Sequence, residues 1–166
     1  SLCIEGVPHI ADNAFYGNNL LTEVLIGDGV ESIGTAAFNK CRFLKRVELP
    51  SSVKTIGSHC FADCHYLERM EIPEGVRTIS NGVFENCSAL TSVTMGENVT
   101  SIGASACQGC TSLTSIELDN VTAIGFSAFE DCKSLKSVTI GKNVNSTGTR
   151  IFAGCTSLTS ITYTGT

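Results

Sequence analysis

The chain has 166 residues, of which 42% are hydrophobic and 16% charged, and this apolar content suffices for the core of one domain. The formal net charge is −5 and the basic residues form no cluster, so neither nucleic acid nor an anionic membrane surface is indicated as a partner. No apolar run approaches the roughly 18 residues of a membrane span, and the first residues lack the layout of a signal peptide, so we expect any export signal or anchor to lie outside this chain.

The first predicted element is a strand in SLCIEGV (1–7), which matches SIELDNV (115–121) and belongs to a repeat of 23 residues, with one step of 22 between Leu118 and Val121. The marker position of the repeat holds Phe15, Phe38, Phe61, Phe84, Cys107, Phe129 and Phe152. Three residues after each marker come Asn18, Cys41, Cys64, Cys87, Cys110, Cys132 and Cys155. A fixed period of this length is typical of a solenoid, in which each unit packs only against its neighbours.

Within one unit the spacing of the apolar residues changes. Ile33, Ala37 and Cys41 lie four apart, which favours one face of a short helical turn. Val47 and Leu49 lie two apart, which favours a strand. About seven stacked units therefore predict an α/β solenoid, with a parallel sheet on one side and short helical or coiled turns on the other.

The unit A-F-x-x-C-x-x-L-x-x-V-x-L-P resembles the BspA-like leucine-rich repeat of bacterial and protozoan surface proteins. The resemblance covers nearly the whole chain. It implies a leucine-rich-repeat solenoid curved into a horseshoe with the sheet on its concave side, export to the cell surface, and adhesion or protein binding as the usual role. It does not identify a ligand.

In the third unit, HCFADCH (59–65) has the composition of a zinc site. The repeat explains both thiols, because Cys64 is the ladder cysteine and Cys60 takes a position held by Ala, Val or Ile in the other units. Cys107 replaces the marker phenylalanine, so Cys107-x-x-Cys110 arises from one substitution. We therefore expect the two histidines to face solvent, and we predict no metal, no cofactor and no catalytic residue.

The cysteine ladder raises the question of disulfides, because neighbouring turns of a parallel solenoid lie about 4.8 Å apart, within the Cα range of a bridge. Equivalent side chains on successive turns point in parallel, whereas a disulfide needs its Cβ atoms to converge. We expect reduced, stacked thiols along the ladder, with cross-linking of Cys3 as the exception.

The side chains just before and just after the inward residue of each strand point outward, and such solenoids usually offer this surface to partners. In chain order they are Glu23/Leu25, Arg46/Glu48, Arg69/Glu71, Ser92/Thr94, Ser115/Glu117, Ser137/Thr139 and Ser160/Thr162. The first three pairs carry charges and a leucine that we expect to be exposed. Stacking places Arg46 beside Arg69 and Glu48 beside Glu71, and the four can form a compensated square. This square is either a solvated ion cluster of little stability or a contact that sets specificity for a partner.

A second ladder begins two residues after the cysteine position, with Leu20, Phe43, Tyr66 and Ala89, and continues with serines. These apolar side chains either anchor an interface or pack over the lip of the core. Together with the charged square, they indicate the N-terminal half as the contact region. The candidate partner-binding residues are Glu23, Leu25, Phe43, Arg46, Glu48, Tyr66, Arg69 and Glu71.

Two functions fit these patterns. The first is a non-enzymatic, adhesin-type domain of an extracellular cell-surface protein, which contacts a host, matrix or neighbouring-cell protein through the strand face of its N-terminal repeats. The second is a structural spacer without its own ligand. An enzyme is disfavoured, because no nucleophile, base and orienting group occur together.

The chain is predicted to be a single repeat domain over residues 1–166, incomplete at both ends. Terminal repeats normally need polar caps, and neither end of this sequence has one. We expect a fragment of a longer protein whose open ends favour end-to-end self-association.

Overall fold

The computed structural model describes residues 1–164, which form fifteen short strands and no helix. Eight strands make a first row: Leu2–Ile4 (β1), Glu23–Ile26 (β3), Arg46–Glu48 (β5), Arg69–Glu71 (β7), Ser92–Thr94 (β9), Ser115–Leu118 (β11), Ser137–Ile140 (β13) and Ser160–Tyr163 (β15). Seven strands of two residues make a second row: His9–Ile10 (β2), Ser32–Ile33 (β4), Thr55–Ile56 (β6), Thr78–Ile79 (β8), Ser101–Ile102 (β10), Ala123–Ile124 (β12) and Ser146–Thr147 (β14). Gly165 and Thr166, which the predicted domain includes, lie outside the described residues.

Both rows consist of parallel strands from successive coils of the chain. In the first row the hydrogen-bonded groups are β1-β3-β5, β7-β9 and β11-β13-β15, and in the second row they are β2-β4-β6 and β8-β10-β12-β14. Partners lie one repeat apart, so Val24 pairs with Val47, whereas Ser115 pairs with Ser137 across the step of 22 residues. The predicted parallel-strand solenoid of about seven coils is confirmed.

The return arm of each coil runs from a second-row strand to the next first-row strand and is built of turns. The expected helical turns are therefore wrong, and with them the α part of the predicted fold class. In the second arm the amides of Ala36, Phe38 and Lys40 donate to carbonyls of the next coil over 2.8–2.9 Å, instead of to carbonyls within their own arm. None of the residues 1–164 lies in a helix that could cross a bilayer.

Positive φ angles explain why the arms do not coil into helices. Two residues of every arm adopt the left-handed region, which interrupts a right-handed helix within one turn. These pairs are Asn13/Gly17, Ala36/Lys40, His59/Asp63, Gly82/Asn86, Ser105/Gly109, Ser127/Asp131 and Arg150/Gly154. Only four of the fourteen are glycines, so the sequence carried little signal for this geometry.

The core lies between the two rows of strands and the return arms, and its inward side chains stack as ladders. The stacked phenylalanine pairs are Phe15–Phe38 (5.1 Å between ring centroids), Phe38–Phe61 (5.5 Å), Phe61–Phe84 (6.0 Å) and Phe129–Phe152 (5.7 Å). Each pair contributes about 0.5–1.5 kcal/mol beyond the burial of its area. Cys107 interrupts this ladder, as the sequence predicts.

Candidate partner-binding surface

The strand face, defined here as the outward side chains of the first-row strands, follows the period of two that a strand imposes. In β5 the buried Val47 is flanked by exposed Arg46 and Glu48. In β7 exposed Arg69 and Glu71 take the equivalent places. The predicted outward orientation of these four charged residues is therefore confirmed.

The beginning of the strand face is less exposed than expected. Glu23 and Leu25, the outward residues of β3, are both half-buried. The expectation of an exposed leucine is wrong for Leu25, which pairs with Cys3 on one side and Glu48 on the other. Neighbouring side chains on a sheet cover one another in this way.

The charged residues do not form the expected square. Arg46 donates to Glu23 Oε1 over 3.2 Å and also to Glu48, so this guanidinium has two carboxylate partners. Within residues 1–164, neither Arg69 nor Glu71 has an oppositely charged partner within 4.0 Å. The Arg46 cluster contributes little stability, because 64% of the Arg46 side chain is exposed to solvent.

The first row of strands is interrupted between β5 and β7. The two strands lie side by side, but β5 pairs with β3 and β7 pairs with β9, with no ladder between them. A cavity of about 550 Å³, which we call the β5/β7 groove, opens there; it is lined by Lys45, Arg46, Val47, Glu48, Leu49, Glu68, Arg69 and Glu71. Charges of both signs and the edges of two strands therefore meet in one groove.

Like charges account for this break better than proline does. Pro73 has no amide hydrogen, whereas Gly27, at the equivalent repeat position, donates to the Ile4 carbonyl over 2.8 Å. Pro50 holds the same position one coil earlier, yet β3 and β5 still pair. Pairing β5 with β7 would set arginine opposite arginine and glutamate opposite glutamate, which is unfavourable on a sheet.

A second interruption lies between β9 and β11, beside the step of 22 residues. Its cavity of about 390 Å³ is lined by charged residues of one sign only, Glu97, Glu117 and Asp119. Within the described residues, the β5/β7 groove is thus the strand-face cavity in which arginine and glutamate side chains occur together.

The predicted apolar edge is present in the first coils. The exposed fractions of Leu20, Phe43 and Tyr66 are 91%, 47% and 49%. The rings of Phe43 and Tyr66 stack with centroids 5.5 Å apart. Phe43 precedes β5 by three residues and Tyr66 precedes β7 by three, so the stacked pair borders the β5/β7 groove.

The ladder cysteines have a role that the sequence analysis missed. Each thiol donates to the carbonyl of the marker residue one coil back: Cys41 to Phe15 (3.1 Å), Cys64 to Phe38 (3.2 Å), Cys87 to Phe61 (3.1 Å), Cys110 to Phe84 (3.1 Å), Cys132 to Cys107 (3.2 Å) and Cys155 to Phe129 (3.0 Å). The fixed spacing of cysteine three residues after the marker was the available signal. Nothing in composition distinguishes such a donor from a small apolar residue.

The thiols are poorly suited to ligate a metal or attack a substrate. Burial raises the pKa of Cys41 to about 11 and raises the pKa of Cys64 well above its ordinary value, which disfavours the thiolate. Within residues 1–164 no disulfide joins the nine cysteines, and no three His, Cys, Asp or Glu side chains converge on one point. Cross-linking through exposed Cys3 stays a prediction.

The two histidines of the apparent zinc motif make separate contacts on the return arms. His59 Nδ1 lies 3.2 Å from Glu85 Oε2, and His65 Nδ1 lies 3.0 Å from the Asn86 carbonyl oxygen. Both side chains are half-buried, so the expectation that they face solvent is only partly right. Their neighbours one coil away hold them apart from the buried thiols.

A sequence profile of the BspA type leucine rich repeat region matches residues 8–120 and 108–166, in six copies. The chain belongs to this family. The leucine-rich-repeat assignment made from the repeat unit is therefore confirmed. No curated protein matched the chain.

Solved structures resemble this BspA type chain along most of its length. A leucine rich repeat protein of T. pallidum, TpLRR, shares 31% identity at a TM-score of 0.85, covering 92% of this chain and 72% of that one. A leucine-rich repeat protein of Bacteroides ovatus shares 22% identity at 0.62, covering 92% and 51%. The pneumococcal vaccine antigen PcpA shares 20% at 0.52, covering 96% and 60%. The last two likenesses show the fold alone.

Proposed function

We propose that this chain is a non-enzymatic, adhesin-type binding domain of a cell-surface protein, which contacts a partner protein through the strand face of its first coils. The observation that carries the proposal is the uneven distribution of exposed side chains. Charged residues and a stacked aromatic pair surround the β5/β7 groove, whereas the later strands carry mostly Ser and Thr. A solenoid draws its stability from inward residues, so its fold does not require this concentration.

The two kinds of side chain suit complementary parts of an interface. Exposed aromatic residues supply large contact areas at low cost in side-chain entropy, and they commonly dominate the binding energy. Charges at the margin contribute more to specificity and to the rate of association than to affinity. The proposed contact residues are Glu23, Leu25, Phe43, Arg46, Glu48, Tyr66, Arg69 and Glu71.

An extracellular, cell-surface location belongs to the same proposal. Membership of the BspA type family supports it. The thiol ladder is compatible with an oxidising environment, because oxidation proceeds through the thiolate and burial disfavours that form. The same inertness supports a domain that binds without catalysis and without a cofactor.

A structural spacer is the second candidate. The strand face from β9 onward supports it, because the outward residues there are mostly short hydroxyl side chains with no aromatic edge beside them. A spacer predicts that no exposed charge of the first coils affects any binding event.

The test is a pull-down from a panel of extracellular matrix and plasma proteins. The native chain is compared with a variant carrying Arg46→Ser, Glu48→Thr, Arg69→Ser and Glu71→Thr, which gives β5 and β7 the outward residues of β9. We expect the native chain to retain a partner and the variant to lose it, because the variant removes the charges without touching the core.

The control variant, Glu31→Thr with Lys54→Ser, removes an exposed ion pair of 3.0 Å beside the second row of strands. It should retain the partner as the native chain does. Capture that is equal for all three proteins, or absent for all three, would favour the spacer.

A further inference from the structure

We propose that the β5/β7 groove recognises an extended segment of the partner that carries an acidic and a basic side chain two residues apart. Arg69 binds the carboxylate and Glu71 binds the cation. The inference rests on the proposed function and adds the chemistry of the segment that is recognised.

The first step is the difference between two arginines at the same repeat position. Arg46 already has Glu23 and Glu48 as partners. Arg69 pairs with the neutral Ser92 of β9 on one side, and on the other side β5 offers only Arg46 at that position. The Arg69 guanidinium is exposed and has no carboxylate within 4.0 Å among residues 1–164. It is therefore the arginine with free donors for a ligand.

Glu71 is the acidic counterpart. Its neighbour in β9 is Thr94, and its neighbour in β5 is the like-charged Glu48, which already accepts from Arg46. A cation from outside the chain would remove an unfavourable contact between two carboxylates as well as form a new one. The same holds for a carboxylate placed between two arginines.

The third step is geometry. Arg69 and Glu71 lie two residues apart on one strand, on the same side of the sheet. Residues i and i+2 of any extended peptide repeat this spacing of about 6.6–6.8 Å. A peptide laid along β7 can thus present two side chains to both groups at once, and the planar guanidinium favours a carboxylate in two parallel hydrogen bonds.

The order of the two charges along the peptide is then fixed by its direction. A segment parallel to β7 needs its acidic residue first, and an antiparallel segment needs its basic residue first. The groove can prefer only one order for one direction of binding, so charge order is the property to measure.

The probes are four immobilised threonine-rich peptides of about nine residues, with Glu-Thr-Lys, Lys-Thr-Glu, Glu-Thr-Glu or Lys-Thr-Lys at the centre. We expect the native chain at low salt to prefer one mixed order over the other three peptides by about fivefold. Equal retention of the four peptides, or none, would overturn the inference.

The decisive variant is Arg69→Glu with Glu71→Arg, which keeps composition and net charge. The preference should move to the opposite mixed order. A second variant, Arg69→Ser with Glu71→Thr, should lose the preference, and both must keep the urea midpoint of the native chain. A preference that is the same in the native chain and in the exchanged variant contradicts the inference.

The fate of the proposed function can be read separately. A partner from the protein panel that is lost by the fourfold variant but retained by the exchanged variant would sustain the binding surface and refute recognition by charge order. Loss of the partner by both, with the peptide preference reversed, supports both claims.

Discussion

At the scale of single residues, the ladder cysteines act as hydrogen-bond donors. Cys64 donates its thiol to the Phe38 carbonyl, which also accepts from the Cys41 amide in its own turn. A thiol is a weak donor, but it fills the second acceptor site of a buried carbonyl without adding a charge. Each ladder cysteine thus ties its return arm to the preceding coil.

This role predicts an order of stability for two substitutions. Cys64→Ser should be more stable than Cys64→Ala by about 1 kcal/mol, because the hydroxyl can donate to the same carbonyl. The measurement is the free energy of unfolding in urea. If Cys64 served only as a small apolar residue, alanine would be the more stable replacement.

Cys60 provides the matched control. It is also fully buried, but within the described residues its sulfur donates to no carbonyl, and alanine occupies the equivalent place at Ala37. Cys60→Ala should therefore be more stable than Cys60→Ser, the reverse of the order at Cys64.

At the scale of elements, the return arms carry an ion pair that couples stability to pH. Arg150 donates to Glu130, whose side chain is only 10% exposed, and this contact lowers the pKa of Glu130 below its ordinary value of 4.5. A lowered carboxyl pKa contributes stability that is complete above the ordinary pKa. That contribution is lost as the pH falls through the lowered one.

The variant Glu130→Gln should accordingly destabilise the chain at neutral pH and approach the stability of the native chain at about pH 2.5, where Glu130 is protonated. Urea unfolding at both pH values gives the two differences. A difference that does not change with pH would contradict the assignment. Glu31→Gln removes a similar but exposed pair with Lys54 and should show a smaller change.

The elements also show how far the sequence determines the structure. Strand positions and inward ladders followed from the period of apolar residues, because burial enforces that period in every coil. The geometry of the return arms did not, because Ala36, Lys40 and Arg150 adopt left-handed angles that their residue types do not favour. Repeated hydrogen bonds to the next coil impose these angles.

The candidate site was only partly predictable for a related reason. The outward residues and the aromatic edge could be read from the repeat, since both depend on position in the coil. The division of Arg46 and Arg69 into a paired and an unpaired arginine could not, because stacking alone offers several partners to each. The break between β5 and β7 depends on that choice of side-chain contacts.

At the scale of the whole molecule, the solenoid is held together coil by coil. Its strands contact only the equivalent strands of neighbouring coils. Stability is therefore a sum of coil and interface terms along one direction, and a weak interface near the middle can separate the two halves.

Phe61→Ala tests this arrangement, because Phe61 is fully buried between Phe38 and Phe84. The cost should be about 3–5 kcal/mol, and the urea transition should become shallower as the two halves unfold separately. Phe152→Ala, which removes a half-buried ring stacked only on Phe129, should cost less and leave the slope unchanged. Equal effects of the two changes would argue against additive coils.

Binding at the strand face is tested most directly by hydrogen–deuterium exchange of the chain with and without the partner retained in the pull-down. The proposed surface predicts slower amide exchange in β3, β5 and β7 and in the segments of Phe43 and Tyr66, with β11, β13 and β15 unchanged. Slowing confined to the return arms or to the later strands would show that the partner binds elsewhere and would contradict the proposal.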